Sequence, residues 1–109
     1  MPHLRLYAVP EEAAVAASET LLPKLAEIVD CPLDYFTLQL VNSTFYSAGK
    51  KVCGEPYIDV HWFAREQAVQ DKFAACVQEF FLPYFSGQDI TCVFTTLEGK
   101  DYYENGVHY

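Results

Sequence analysis

The hydrophobic period of this chain switches between two residues and 3.6 residues in the order β-α-β-β-α-β, and that order leaves few folds open. From His3 to Ala8 the residues alternate, with Leu4, Leu6 and Ala8 against His3, Arg5 and Tyr7, as in a half-buried strand. Pro10, Glu11 and Glu12 then open a helix, because proline suits a first turn and acids favour its dipole. The stripe Ala14, Val15, Ser18, Leu21, Leu22, Leu25, Ile28 and Val29 keeps a helical period up to the stop at Pro32. Pro23 lies inside this stretch and lacks a backbone donor, which predicts a kink or break there.

Phe36 to Phe45 and Tyr57 to Phe63 read as the next two strands. Ser47 to Glu55, with Gly49, Lys50, Lys51 and Gly54, reads as a mobile loop between them. Val69, Phe73, Cys76, Val77, Phe80 and Phe81 mark a second helix, and Ile90 to Thr96 a fourth strand. Asn105-Gly106 is a turn dipeptide that closes a short hairpin in the tail. Two right-handed βαβ halves in succession predict an α/β (α+β) domain over residues 1–109, a four-stranded mixed sheet with both helices on one face. Leu4, Leu6, Phe36, Leu38, Leu40, Ile58, Val60, Trp62, Ile90, Cys92 and Phe94 supply the apolar face. His3, Arg5, Tyr7, Thr37, Gln39, Asp59, His61, Thr91 and Thr95 fall on the other, which is either solvated or covered by further subunits.

A net charge of −8 argues against nucleic acid, whose backbone demands clustered Lys and Arg. No apolar run approaches the ~18 residues of a membrane span. Cys31, Cys53, Cys76 and Cys92 form no CxxC pair and stand without a signal peptide, so they read as reduced thiols of a cytoplasmic protein. The spacing of His3, His61 and His108 relative to them suggests no metal site, and no glycine loop or nucleophile elbow calls for a cofactor.

Pro2 is the leading chemical candidate. If Met1 is trimmed, Pro2 presents a secondary amine; an α-amino group ordinarily titrates near ~8, and apolar surroundings lower that value. Such a nitrogen can act as a general base near neutral pH. If Met1 is retained, the nitrogen is an amide and has no basic lone pair.

The Met-Pro start leading directly into a strand, the segment Cys31-Pro32-Leu33-Asp34-Tyr35-Phe36 between helix and strand, and the βαββαβ order together resemble the tautomerase superfamily. That superfamily includes 4-oxalocrotonate tautomerase and macrophage migration inhibitory factor. The tail Asp101-Tyr102-Tyr103-Glu104-Asn105-Gly106 is more similar to a bacterial branch of it. The resemblance implies a homotrimer whose sheets form a central barrel. It also implies an isomerase that moves a proton between carbon and oxygen of a small carbonyl or enol substrate, with Pro2 as catalyst and no cofactor. Cys31 stands where the macrophage protein has a lysine, and Glu12 and Thr37 lie near the positions of the substrate arginines of 4-oxalocrotonate tautomerase. That pattern implies a substrate other than a dicarboxylate. A non-catalytic trimer of the same fold and a monomeric ferredoxin-like binding domain are the rival expectations.

The remaining candidates each carry two readings. Arg5 either binds a substrate carboxylate or pairs with Asp59 across the polar sheet face. His61 is either an acid–base group or a hydrogen-bonded strand histidine. Tyr102 and Tyr103 either line the substrate pocket or pack the tail against a neighbouring subunit. Lys50 and Lys51 either swing over a pocket or remain solvated.

Overall fold

The computed structural model describes residues 2–109. Strand β1 (His3–Tyr7) leads to helix α1 (Glu11–Ala16), a π-helical turn (Ala17–Leu21) and helix α2 (Leu22–Val29). Strand β2 (Thr37–Val41), the hairpin β3 (Phe45–Ser47) and β4 (Lys50–Val52), and strand β5 (Tyr57–Phe63) follow. Helix α3 (Gln67–Phe81), strand β6 (Thr91–Leu97) and a second hairpin, β7 (Tyr103–Glu104) and β8 (Val107–His108), complete the chain.

The main sheet has the order β2-β1-β5-β6. β1 runs parallel to β2 and antiparallel to β5, and β5 runs parallel to β6, so the sheet is mixed as the double βαβ pattern predicts. Leu4, Leu6, Ile58, Val60 and Trp62 are fully buried on the face that the helices cover, against Leu21, Leu25, Phe73, Val77 and Phe81. Leu38, Leu40, Cys92 and Phe94 are only half-buried, because they sit on the outer strands β2 and β6. Among the described residues, no helix is long and apolar enough to cross a membrane.

The irregularity expected at Pro23 takes the form of a widened turn rather than a break, and three other local expectations are corrected. The preceding turn widens, so that the Leu22 N–H bonds five residues back to Ala17, and Pro23 then occupies the first turn of α2, where no donor is missed. On this helix Val15 and Ser18 are exposed, and Ala13 and Ala17 pack on the sheet in their place. The strand expected from Phe36 to Phe45 ends at Val41, and most of the expected 47–55 loop is hairpin. Ala48 and Gly49 both take positive φ, +50° and +76°, the geometry a two-residue turn demands. The tail hairpin does form on Asn105-Gly106, with φ of +56° and +84°.

Candidate active site

Everything at the start of β1 follows from strand register. Pro2 is fully buried, and its carbonyl accepts the Thr37 N–H at 3.1 Å, which ties it to the start of β2. On its other side His3 pairs with His61, so the next residue of β5, Trp62, comes opposite Pro2, and Phe63 and Arg65 continue past it. α2 ends on Asp30 in the left-handed conformation (φ +53°). The Cys31 N–H reaches back to Ala26 at 3.2 Å, which turns the chain towards this same corner.

A cavity of about 440 Å³ opens here, lined by Asp34, Tyr35, Phe63, Arg65, Glu104 and Tyr109. Its walls come from the approach to β2, the end of β5 and the tail hairpin. Arg65 is its cation. Nη1 donates to the Phe63 carbonyl at 2.6 Å, and the guanidinium carbon lies 5.6 Å from the centre of the Trp62 ring, so two contacts hold the guanidinium head. Arg65 was not among the residues singled out in the sequence. It follows β5 in a short polar segment, and only antiparallel pairing of β5 with β1 brings it beside the chain start; that pairing was the signal available.

Tyr102 reaches the site corner through His3: its hydroxyl and His3 Nε2 are 2.9 Å apart, and His3 Nδ1 bonds the Thr37 hydroxyl. Burial, and then neighbouring positive charge that includes His61 and Arg5, holds the His3 imidazole below its ordinary value of 6.5. Phe63, Tyr102 and Tyr109 form an aromatic cluster with centroids 5.0–5.9 Å apart, which fastens the tail over the end of β5. The Tyr109 hydroxyl donates to Glu104 at 2.6 Å; this bond, more than any other cause, pushes the phenol up to about 12. Burial raises the Cys31 thiol against the opposing pull of Arg65, so Cys31 is a protonated neighbour rather than a nucleophile.

The other sequence candidates lie elsewhere. Arg5 is exposed on the polar sheet face, the side opposite Leu4 and Leu6. It faces Asp59 in register, but the expected Arg5–Asp59 pair is not formed. Asp59 is taken by His61 of its own strand (Oδ2 to Nε2, 2.9 Å), and Arg5 Nε donates to Gln39 at 3.3 Å. His61 is thus a hydrogen-bonded strand histidine on the same polar face. Tyr103 is 63% exposed and packs edge-on against His108, away from the cavity. Lys50 and Lys51 lie on the exposed strand β4.

The family described as a domain of unknown function (DUF1904) matches residues 1–108. The crystal structure of a DUF1904 domain from Sebaldella termitidis ATCC 33386 is 36% identical over 100% of both chains, with a TM-score of 0.92. A macrophage migration inhibitory factor-like protein from Entamoeba histolytica is 19% identical over 99% of this chain and 98% of its own, with a TM-score of 0.76. The R7 fused 4-OT wild type asymmetric trimer is 16% identical over 97% of this chain and 94% of its own, with a TM-score of 0.80. A search of curated proteins found no match. The family match over nearly the whole chain, with a sheet and helices that superpose on these structures, establishes that the chain belongs to the DUF1904 family and carries a tautomerase-like fold.

Proposed function

We propose that this protein is a tautomerase in which Pro2, freed of Met1, moves a proton between carbon and oxygen of a small keto or enol acid. The observation that carries the reading is the corner itself: a fully buried proline at the head of the central strand and, past its register partner on β5, a cavity lined by one arginine, though not by Pro2 itself. A secondary amine in apolar surroundings stays neutral near pH 7 and can accept the proton. Arg65 then holds the carboxylate or the developing enolate oxygen, where a fixed guanidinium stabilises negative charge more in the transition state than in the ground state. Pro2 returns the proton to the other position of the substrate, so the reaction needs no cofactor.

The lining also limits the substrate. Asp34 and Glu104 share the cavity with Arg65. A monocarboxylate meets one cation; a second carboxylate meets two anions. A compact monoanion or neutral enol is therefore the preferred class.

The same reading takes the working unit to be a homotrimer. Arg5, Thr37, Gln39, Thr91 and Thr95 are exposed in the single chain, and a similarly folded 4-OT structure is a trimer. Light scattering should return three times the chain mass; a monomer at all concentrations would remove the assembly. The test of chemistry is ketonisation of a simple enol acid by the processed protein, by Pro2→Ala and by a form that retains Met1. Both altered forms should lose at least about tenfold, or roughly 1.4 kcal/mol of barrier. Equal rates in all three forms would leave a non-catalytic protein of the same fold.

A further inference from the structure

The two βαβ halves repeat one another, and each begins on a buried proline. Pro2 precedes β1 and Pro56 precedes β5, and both are fully buried. The Pro2 carbonyl accepts the N–H of Thr37 at the start of β2, and the Pro56 carbonyl accepts the N–H of Thr91 at the start of β6, each at 3.1 Å. Because β1 and β5 run antiparallel, the prolines mark opposite ends of the central strand pair. A cavity opens at each end. The one beside Pro56 measures about 390 Å³ and is lined by Tyr7, Phe45, Glu55, Pro56, Tyr57, Asp59 and Thr91, so it reaches the polar sheet face that the homotrimer reading turns towards neighbouring subunits.

We propose that this second cavity binds a small organic ammonium ion. No Lys or Arg is among its lining residues, whereas Glu55 and Asp59 both are. The Asp59 carboxylate is steadied by His61 at 2.9 Å. Tyr7 and Tyr57 stand edge to face with centroids 5.9 Å apart. The Phe45 ring lies flat on Gly54, where a Cβ would come within 2.5 Å of the ring atoms and where φ is +74°. Glycine at this position is what lets the ring form that wall. Carboxylates attract a cation through net charge, and an aromatic ring adds to this wherever its face is open to the cavity. An anion gains neither, and a neutral molecule gains only burial. The volume suits a small ligand, since such pockets span roughly 300–1,000 Å³.

The two ends thus differ by one cation: Arg65 stands among the carboxylates Asp34 and Glu104 of the first cavity, whereas the second has carboxylates and no lining Lys or Arg. Pro56 lies within the chain, so its nitrogen is an amide, and the second end binds without abstracting a proton. This inference does not depend on catalysis at Pro2.

The test is an NMR titration of the full chain with choline and with its uncharged isostere, 3,3-dimethylbutan-1-ol. Choline should shift signals of Tyr7, Phe45 and Tyr57 saturably, with a dissociation constant of about 1 mM or tighter, and the isostere should bind at least about tenfold more weakly. Glu55→Gln, an exposed and nearly isosteric change, should weaken choline about fivefold or more and leave the isostere unaffected. Gly54→Ala, checked for folding by circular dichroism, should weaken both by displacing Phe45. Equal binding of choline and isostere, an unaltered choline affinity in Glu55→Gln, or shifts confined to Phe63 and Arg65 would each overturn the proposal.

Discussion

Replacing Arg65 with methionine separates charge from packing at the candidate site. The guanidinium is already fixed by the Phe63 carbonyl and the Trp62 ring, so little further ordering is needed when it engages a substrate carboxylate. A charge-assisted hydrogen bond contributes about 1.5–3 kcal/mol. At about 1.36 kcal/mol per decade, its loss corresponds to roughly a 10- to 150-fold fall in kcat/KM. Methionine keeps an apolar side chain of similar length; losing the cation–π contact costs about 0.5–1 kcal/mol and losing the hydrogen bond to the Phe63 carbonyl about 1.5–3 kcal/mol of stability. That is below the ~5–15 kcal/mol typical of a whole domain, and urea unfolding of the variant checks that it stays folded. The assay compares ketonisation of an arylpyruvate enol with that of its methyl ester, which has the same skeleton without the charge. The acid should lose the full factor and the ester less than about threefold, and Arg65→Lys should recover part of the loss because it restores charge without the fork. Equal losses on both substrates, or none on the acid, would refute Arg65 as the carboxylate-binding residue.

Three further outcomes follow from burial and charge. The Trp62 indole is fully buried, and its N–H has no partner among the described residues, so Trp62→Phe removes an unsatisfied donor along with some packing. It should cost no more than about 2 kcal/mol in urea unfolding, against about 3–5 kcal/mol for Trp62→Ala, and equal costs would mean that the donor is satisfied. His3 titrates below 6.5 in the fold, so its contribution is complete above pH 6.5 and is lost as pH falls from there towards the folded value. His3→Gln should therefore show a smaller fall in urea midpoint between pH 7.5 and 5.5 than the native chain, and identical falls would contradict the shift. Burial pushes the Cys92 thiol up to about 12, while Cys53 is exposed. Iodoacetamide at pH 8 should label Cys53 first, and Cys92 should be slower by a factor on the order of 10³ because so little thiolate forms; comparable rates would remove that burial argument.

The sheet and its two helices were legible because each element carries its own period: Leu4 and Leu6 alternate, and Phe73, Val77 and Phe81 recur every turn. The π turn was not. Pro23 announces a missing donor, but nothing local to it says whether the helix kinks, breaks or widens to accommodate it. The hairpin at Ala48-Gly49 was hidden for a different reason, since alanine rarely takes positive φ and gives no turn signal. Near the candidate site, the position of Pro2 directly before a strand was readable. Arg65 required the register of β5 on β1, a long-range property no local window contains. The Arg5–Asp59 expectation had the register right but overlooked His61, which sits two residues from Asp59 on the same face and reaches it first.

The central claim is that Pro2 carries a neutral, basic amine at working pH. A ¹⁵N NMR titration of the proline nitrogen in protein processed to begin at Pro2 tests it most directly. The account predicts a midpoint below the ~8 of an ordinary α-amino group, because burial disfavours the charged form, and a matching limb in the pH dependence of kcat/KM. A midpoint at or above that ordinary value, or a rate profile that does not follow it, would contradict catalysis by Pro2.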